Sequence, residues 1–302
     1  MSDVEKISVV EQTLQEQREN WSKICKKISA LSEDNLPHEG PKRILIFGLG
    51  SSHFAARLCA YALMRNKNQA RVPVVACSSM AVGTEVIPQK GDWAFAITHR
   101  GGSRPTVEAL DLCEKSGAFT FAVTAENAKL VEPARVTLKT VPMETVEPHS
   151  IAVTGAICAV TTFLMGAKAV EEWEALRSIG SPNLESLRAR VGQGPTLLLG
   201  EFEGEWLARE GSLKLMEMAR LPVRCFGSEE WFHGPRFSQR ADEVIWHVST
   251  PKDPRNAEIR ADHQIGIYGG TPLAWIPALV ELQWLALAVA LNRGVNPDDP
   301  TK

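Results

Sequence analysis

The chain has no surplus of positive charge. Its 33 Lys plus Arg stand against 36 Asp plus Glu, a formal charge of −3. A general grip on nucleic acid needs a basic surface, so no nucleic-acid partner is expected. None of the six cysteines, at 25, 59, 77, 113, 158 and 225, forms a C-x-x-C pair. That pattern points to reduced, mostly buried thiols in a cytoplasmic protein, with no metal site. The first residues, MSDVEKISVVEQ, lack the basic-then-apolar order of a secretory leader. The one long uncharged stretch, residues 150–167, is diluted by Thr154, Gly155, Thr161, Thr162 and Gly166. It reads as a buried helix rather than a membrane span. A disordered chain is excluded as well, since 44% of residues are hydrophobic and 23% charged.

What is present is an alternating rhythm. Residues 4–32 place Val4, Ile7, Val10, Leu14, Trp21, Ile24, Ile28 and Leu31 at helical spacing, predicting one long amphipathic helix. Residues 32–42, with Pro37, Gly40 and Pro41, read as a loop. Apolar strands are predicted at 43–48, 72–76, 93–98 and 119–123, with helices at 54–66, 105–116 and 151–170. After a charged run at 171–190 the rhythm restarts, with strands at 195–200, 222–226 and 243–248 and helices at 206–218 and 277–291. Uncharged strands alternating with helices predict an α/β fold of parallel sheets covered on both faces. The openings ILIFGLGSS at 44–52 and TLLLGEFEG at 196–204 share a strand–glycine–helix form. The expected organisation is an N-terminal helix and loop over 1–40, a first lobe over 41–178 and a second over 190–302.

Three segments can carry chemistry. Gly48-Leu49-Gly50-Ser51-Ser52 lies between a strand and a helix, where a tight turn and unpaired helix N–H groups suit an anion such as phosphate. Position 53 is His, so the third glycine of a dinucleotide fingerprint is missing, and so is a Walker lysine. The plain alternative is a tight turn with a serine cap. The second segment, THRGGSRPT at 98–106, also joins a strand to a helix. Loops after strand C-termini converge on one crevice in an open parallel sheet. Arg100 and Arg104 would add charge-assisted donors; otherwise they are surface arginines on a solvated loop. The third is Glu210, Lys214 and Glu217, which share a helix face, followed by Glu229-Glu230-Trp231-Phe232-His233-Gly234-Pro235. A carboxylate can move a proton between adjacent carbons of an open-chain sugar, and a histidine can shuttle protons near neutral pH. By spacing alone, a salt-bridged helix face and a turn histidine are the better account of them.

Together, GLGSS at 48–52, THRGGSRPT at 98–106, EGSLKLMEM at 210–218 and EEWFHGP at 229–235 resemble the double sugar-isomerase (SIS) domain family, of the type found in the isomerase half of glucosamine-6-phosphate synthases. The resemblance runs from about residue 40 to the C-terminus. It implies two flavodoxin-like lobes holding a sugar phosphate between them. It makes Gly50, Ser51, Ser52, Thr98, His99, Arg100, Ser103 and Thr106 substrate-binding residues and Glu217 the carrier of the C1–C2 proton. Glu210 and Lys214 become charged groups near the sugar, and His233 the ring-opening histidine, able to serve a neighbouring subunit. A homodimer or larger homo-oligomer, a small-molecule sugar phosphate and no cofactor are therefore expected, with no membrane partner. Arg100 stands where the family has a second serine, Gly102 where it has an acidic residue, and Val153 and Thr154-Gly155 where it has Ser and Thr-Lys. Lys302 is out of register with the family's C-terminal lysine and is not expected to form a Schiff base. The implied activity is aldose–ketose isomerisation, or deaminase-like chemistry, of an (amino)sugar phosphate through an enediol-type intermediate. A non-catalytic phosphosugar sensor and an SIS enzyme for another acidic sugar remain as alternatives. About 40 residues precede the first strand and look like one helix, which disfavours a helix-turn-helix regulator.

Overall fold

A computed structural model describes residues 7–31, 36–66, 72–192 and 194–299. Two parallel sheets flanked by helices follow an N-terminal helix, α1 (Val9–Ser29). The first sheet holds β1 (Arg43–Gly48), β2 (Val74–Ser78), β3 (Asp92–Ile97), β4 (Phe119–Thr124) and β5 (Val136–Lys139), in the order β2-β1-β3-β4-β5. Its crossover helices are α2 (Ser51–Arg65) and α3 (Arg104–Lys115). The strands read as continuous apolar runs because both faces are covered. Along β1, Ile44 and Ile46 join the core cluster that includes α1, α2 and residues 151–165, whereas Leu45 and Phe47 join the cluster on the α3 side.

Three helices lead to the second sheet: α4 (Ile151–Met165), α5 (Ala167–Arg177) and α6 (Leu184–Arg190). The helix expected over 151–170 is broken, because Gly166 adopts φ 61° between α4 and α5, a conformation glycine takes without penalty. No helix among the described residues is long and apolar enough to cross a membrane. The second sheet has the order β7-β6-β8-β9, from β6 (Thr196–Gly200), β7 (Val223–Gly227), β8 (Val244–Ser249) and β9 (His263–Gly266). It repeats the first sheet's order with one strand fewer. Helix α7 (Glu203–Ala219) follows β6, the short α8 (Ser228–Phe232) follows β7, and α9 (Ile276–Asn292) closes the chain.

The repeat extends to backbone angles. Gly50, before α2, has φ 53° and ψ −130°; Phe202, before α7, has φ 55° and ψ −126°. The turns close tightly because the strand-end glycines lie against the next helix. A Cβ on Gly48 would sit 2.5 Å from Ser52 Cβ, and one on Gly200 2.4 Å from the Gly204 carbonyl oxygen.

The expected helix over 4–32 is observed from Val9 to Ser29; residues 4–6 and 32 lie outside the described residues, as does Lys302. The helix expected at 54–66 starts earlier, at Ser51, so the two serines belong to its first turn. The strand expected at 72–76 is shifted to Val74–Ser78, since Pro73 cannot donate to the ladder and serves it only as the acceptor for Ile44 N–H. Helix α1 lays its buried face on α4 and α5: Trp21 packs on Trp173 of α5 at 4.9 Å between ring centroids.

Candidate functional site

In the order β2-β1-β3 the chain leaves β1 toward one side of the sheet and β3 toward the other. The loops after β1 and β3 therefore border the crevice where such sheets bind ligands. The first loop delivers Gly50, Ser51 and Ser52 at the start of α2. The second delivers Thr98, His99, Arg100, Gly102 and Ser103 at the start of α3. Both helices point positive N-termini at this crevice.

Two cavities meet there. One, of about 340 Å³, is lined by Ser51, Ser52 and His99 from the first sheet's loops, by His149, and by Lys214 and Glu217 of α7. The other, of about 480 Å³, is lined by Thr98, Arg100, Ser103, Thr106 and Lys129. Leu49, Ser52, Ile97, His99 and His149 line both, so the two form one cleft. The loops predicted from sequence thus converge, and α7 brings Lys214 and Glu217 to the same place. Thr106 is buried; its hydroxyl lies 2.9 Å from that of Ser79 and 3.1 Å from that of Ser103, fixing the first turn of α3.

The carboxylate side is built on a buried ammonium. Lys214 is 1% exposed. Its Nζ donates to Glu217 Oε2 at 2.6 Å and to the His149 carbonyl at 2.8 Å, and lies 3.7 Å from Glu210 Oε1. Burial works against its charge, but Glu210 and Glu217 hold its affinity for protons above that of an ordinary lysine. Glu210 is fully buried and lines neither cavity. Burial raises its pKa, opposed by Lys214 and by Ser51. The shared helix face read from the i, i+4, i+7 spacing is present, but it is graded in depth. Glu210 lies beneath, Lys214 in the wall, and Glu217 at the cleft with a side chain 33% exposed.

The side of the cleft nearer α3 has a ceiling that the sequence did not reveal. His99 and His149 lie 4.8 Å apart between ring centroids. Arg100 Nη2 reaches Glu147 Oε1 at 2.9 Å and lies 3.3 Å from His149 Nε2. His99 Nε2 accepts the Glu144 backbone N–H at 3.1 Å. Burial, then neighbouring positive groups, pushes both imidazoles down to about 4. Glu144 is itself buried and accepts from the backbone N–H groups of Ser150, Ile151 and Ala152, capping α4. The Ser150 carbonyl accepts from Gln283 Nε2 of α9, and Gln283 Oε1 accepts from Gln17 Nε2 of α1. A buried polar chain thus anchors the 144–150 loop to both terminal helices. His149, Glu144 and Glu147 carry no spacing signal in the sequence; a histidine in a polar loop is silent until the fold places it.

His233 stands apart. It follows α8, its side chain is 76% exposed, its Nε2 lies 3.4 Å from Glu229 Oε1, and it lines neither cavity of the cleft. Arg104 is also directed elsewhere, pairing with Glu108 at 2.8 Å on the surface of α3.

Fold and cleft together define an α/β protein of two parallel sheets with a cleft at the carboxyl edge of the first, and the comparisons agree with the fold. Residues 39–167 match the family model described as the SIS domain. Over 132 residues, 36% of this chain, it is 30% identical to a probable glutamine–fructose-6-phosphate aminotransferase (isomerizing) of Acanthamoeba polyphaga mimivirus, covering 22% of that protein. Over 305 residues, 86% of this chain, it is 24% identical to the glutamine–fructose-6-phosphate aminotransferase (isomerizing) of Pyrobaculum aerophilum, covering 50% of it. The chain thus spans half or less of the length of these curated relatives. Among solved structures, the C-terminal domain of glucosamine-fructose-6-phosphate aminotransferase from Francisella tularensis superposes with a TM-score of 0.78 at 19% identity, covering 99% of this chain and 100% of that one. The tagatose-6-phosphate ketose/aldose isomerase of Escherichia coli gives 0.78 at 17% identity, covering 98% and 95%. These likenesses carry the fold.

Proposed function

We propose that this chain binds a phosphorylated sugar in the cleft and interconverts its aldose and ketose forms, acting as a sugar-phosphate isomerase or a deaminase-like enzyme on an amino sugar phosphate. The observation that carries the reading is the continuity of the cleft. Ser52 and His99 line the cavity toward Ser103 and also the one that holds Lys214 and Glu217. The phosphate sits between the starts of α2 and α3, against Ser51, Ser52, Thr98 and Ser103, with the turn at Gly50 giving the backbone close access. Arg100 adds its charge by exchanging Glu147 for the phosphate. Glu217 carries the proton between C1 and C2, Lys214 orients it, and Glu210 helps keep Lys214 charged. The second sheet, with its repeated order and turn, serves as a second SIS lobe. His233, exposed on its own chain, opens the sugar ring in the cleft of a neighbouring copy, which makes a homo-oligomer the working unit. Six cysteines free of disulfides support a cytoplasmic setting. A second reading, a more acidic sugar, is favoured by one feature: Arg100 and Lys129 both line the outer cavity.

The test is a thermal-shift panel of fructose 6-phosphate, glucosamine 6-phosphate and acidic sugars, followed by NMR in deuterium oxide. Stabilisation by a phosphosugar and deuterium at C2 are expected. Stabilisation without exchange identifies a sensor instead. No stabilisation by any phosphosugar removes the cleft as a phosphate site.

A further inference from the structure

We propose that His149 is the neutral hydrogen-bond donor that polarises the C1 and C2 oxygens of the open-chain sugar opposite Glu217. This rests on the phosphosugar reading above and gives a task to a residue that reading leaves idle. His149 lines both cavities of the cleft. Its carbonyl is held by Lys214 Nζ at 2.8 Å, and the same Nζ holds Glu217 at 2.6 Å, so one buried ammonium ties the backbone of His149 to the Glu217 carboxylate. Its tautomer follows from its neighbour. Arg100 Nη2, 3.3 Å from Nε2, can only donate, so Nε2 is the acceptor and the ring proton resides on Nδ1. Nδ1 has no hydrogen-bond partner among the described residues.

Burial, Arg100 and Lys214 push this imidazole down to about 4, so at neutral pH it is uncharged and keeps one N–H to give. A neutral imidazole of depressed pKa suits enediol chemistry because it matches a weakly acidic enediol better than an imidazolium would. Of the two histidines lining both cavities, His99 has its Nε2 occupied by the Glu144 amide, which ties its ring to the backbone of the 144–150 loop, whereas His233 faces solvent beside Glu229 and lines neither cavity.

The step balances without a cofactor. Glu217 takes the proton from C2 of the aldose, and the C2–H electron pair becomes the C1=C2 bond. The C1=O1 π pair moves to O1, which takes the Nδ1 proton. Nδ1 regains a proton from the C2 hydroxyl, the C2=O2 bond forms, and C1 receives the proton held by Glu217. The product is the ketose, with both side chains restored.

The test compares the wild-type chain with the His149→Asn and His149→Gly variants, using fructose 6-phosphate in deuterium oxide and inorganic phosphate as competitor. The expected result is a fall in kcat of about 100-fold or more. Phosphate competition and melting temperature should change little, and added imidazole should restore part of the His149→Gly turnover. Wild-type kcat in His149→Asn overturns the role. So does loss of turnover that imidazole does not rescue and that comes with loss of phosphate binding, which marks a purely structural residue. A wild type that exchanges no C2 proton of any sugar phosphate overturns the isomerase reading itself and this inference with it, a result distinct from an active wild type matched by an active His149→Asn.

Discussion

Lys214 donates to Glu217 across 2.6 Å while almost wholly shielded from water, with Glu210 fully buried behind it. Burying Lys214 and Glu210 on one helix face costs solvation that their mutual attraction only partly offsets. What the arrangement secures is position, since the carboxylate at the cleft is held by an ammonium that has little room to move.

Lys214→Met should therefore destabilise the protein by about 3–5 kcal/mol, the usual cost of leaving a buried partner uncompensated. Glu210 would then lie buried opposite a thioether. Adding Glu210→Gln removes the orphaned charge and should recover a large part of the loss. Chemical denaturation of both single variants and the double variant checks this; additive losses would show that the two groups do not act as a pair.

Glu217→Gln keeps the size of the side chain and an oxygen for Lys214 but cannot carry a proton. Deuterium exchange at C2 should fall by about 100-fold to 10,000-fold, while the thermal shift given by the bound phosphosugar stays near that of wild type. Exchange at the wild-type rate would assign the base elsewhere.

The paired turns make opposite predictions. Gly48→Ala places a methyl against Ser52, including its backbone carbon at 2.7 Å, and should cost about 1–3 kcal/mol and weaken phosphosugar binding. Gly102→Ala, with nothing within 4 Å of the added carbon, should leave the melting temperature nearly unchanged. Phe202 holds the backbone shape of Gly50 with a side chain attached. Phe202→Gly should relieve strain and raise stability by about 1 kcal/mol. Melting curves of the three variants decide all of these.

His53 offers a pH test outside the proposed chemistry. Its ring packs on Trp206 at 5.5 Å between centroids. Burial, then Arg57 and Arg209, pushes its pKa from 6.5 down to about 4. Between those values the unfolded chain binds the proton and the folded protein does not. The stability this histidine contributes is thus complete above pH 6.5 and is lost as pH falls toward 4. His53→Gln lacks that titration, so the melting temperature of wild type should fall more steeply than that of the variant between pH 7.5 and 5. Parallel pH profiles would show that the ring does not titrate in this way.

Legibility in the sequence followed the range of the interactions involved. Both glycine turns were readable because a strand running into glycine and then a helix is a local event. The face shared by Glu210, Lys214 and Glu217 was readable because helical spacing sets it. Strands β5 and β9 passed unnoticed: each is four residues long, at a sheet edge, and exists by pairing with β4 or β8. The break at Gly166 hid in an apolar run whose composition suits one helix as well as two.

By itself, then, the sequence determined the alternation of strands and helices, the two glycine-bearing turns and the residue types available to them, because periodicity and turn geometry act over a few residues. Only the tertiary structure decided the depth of Glu210, the meeting of α7 with the first sheet's loops, and the placing of His149 beside His99. Those depend on packing between elements 50 to more than 100 residues apart, as when Gln17 reaches Gln283 across 266 positions to anchor the loop that carries His149. Hydrogen bonds and burial of that range leave no spacing in the chain from which they could be read.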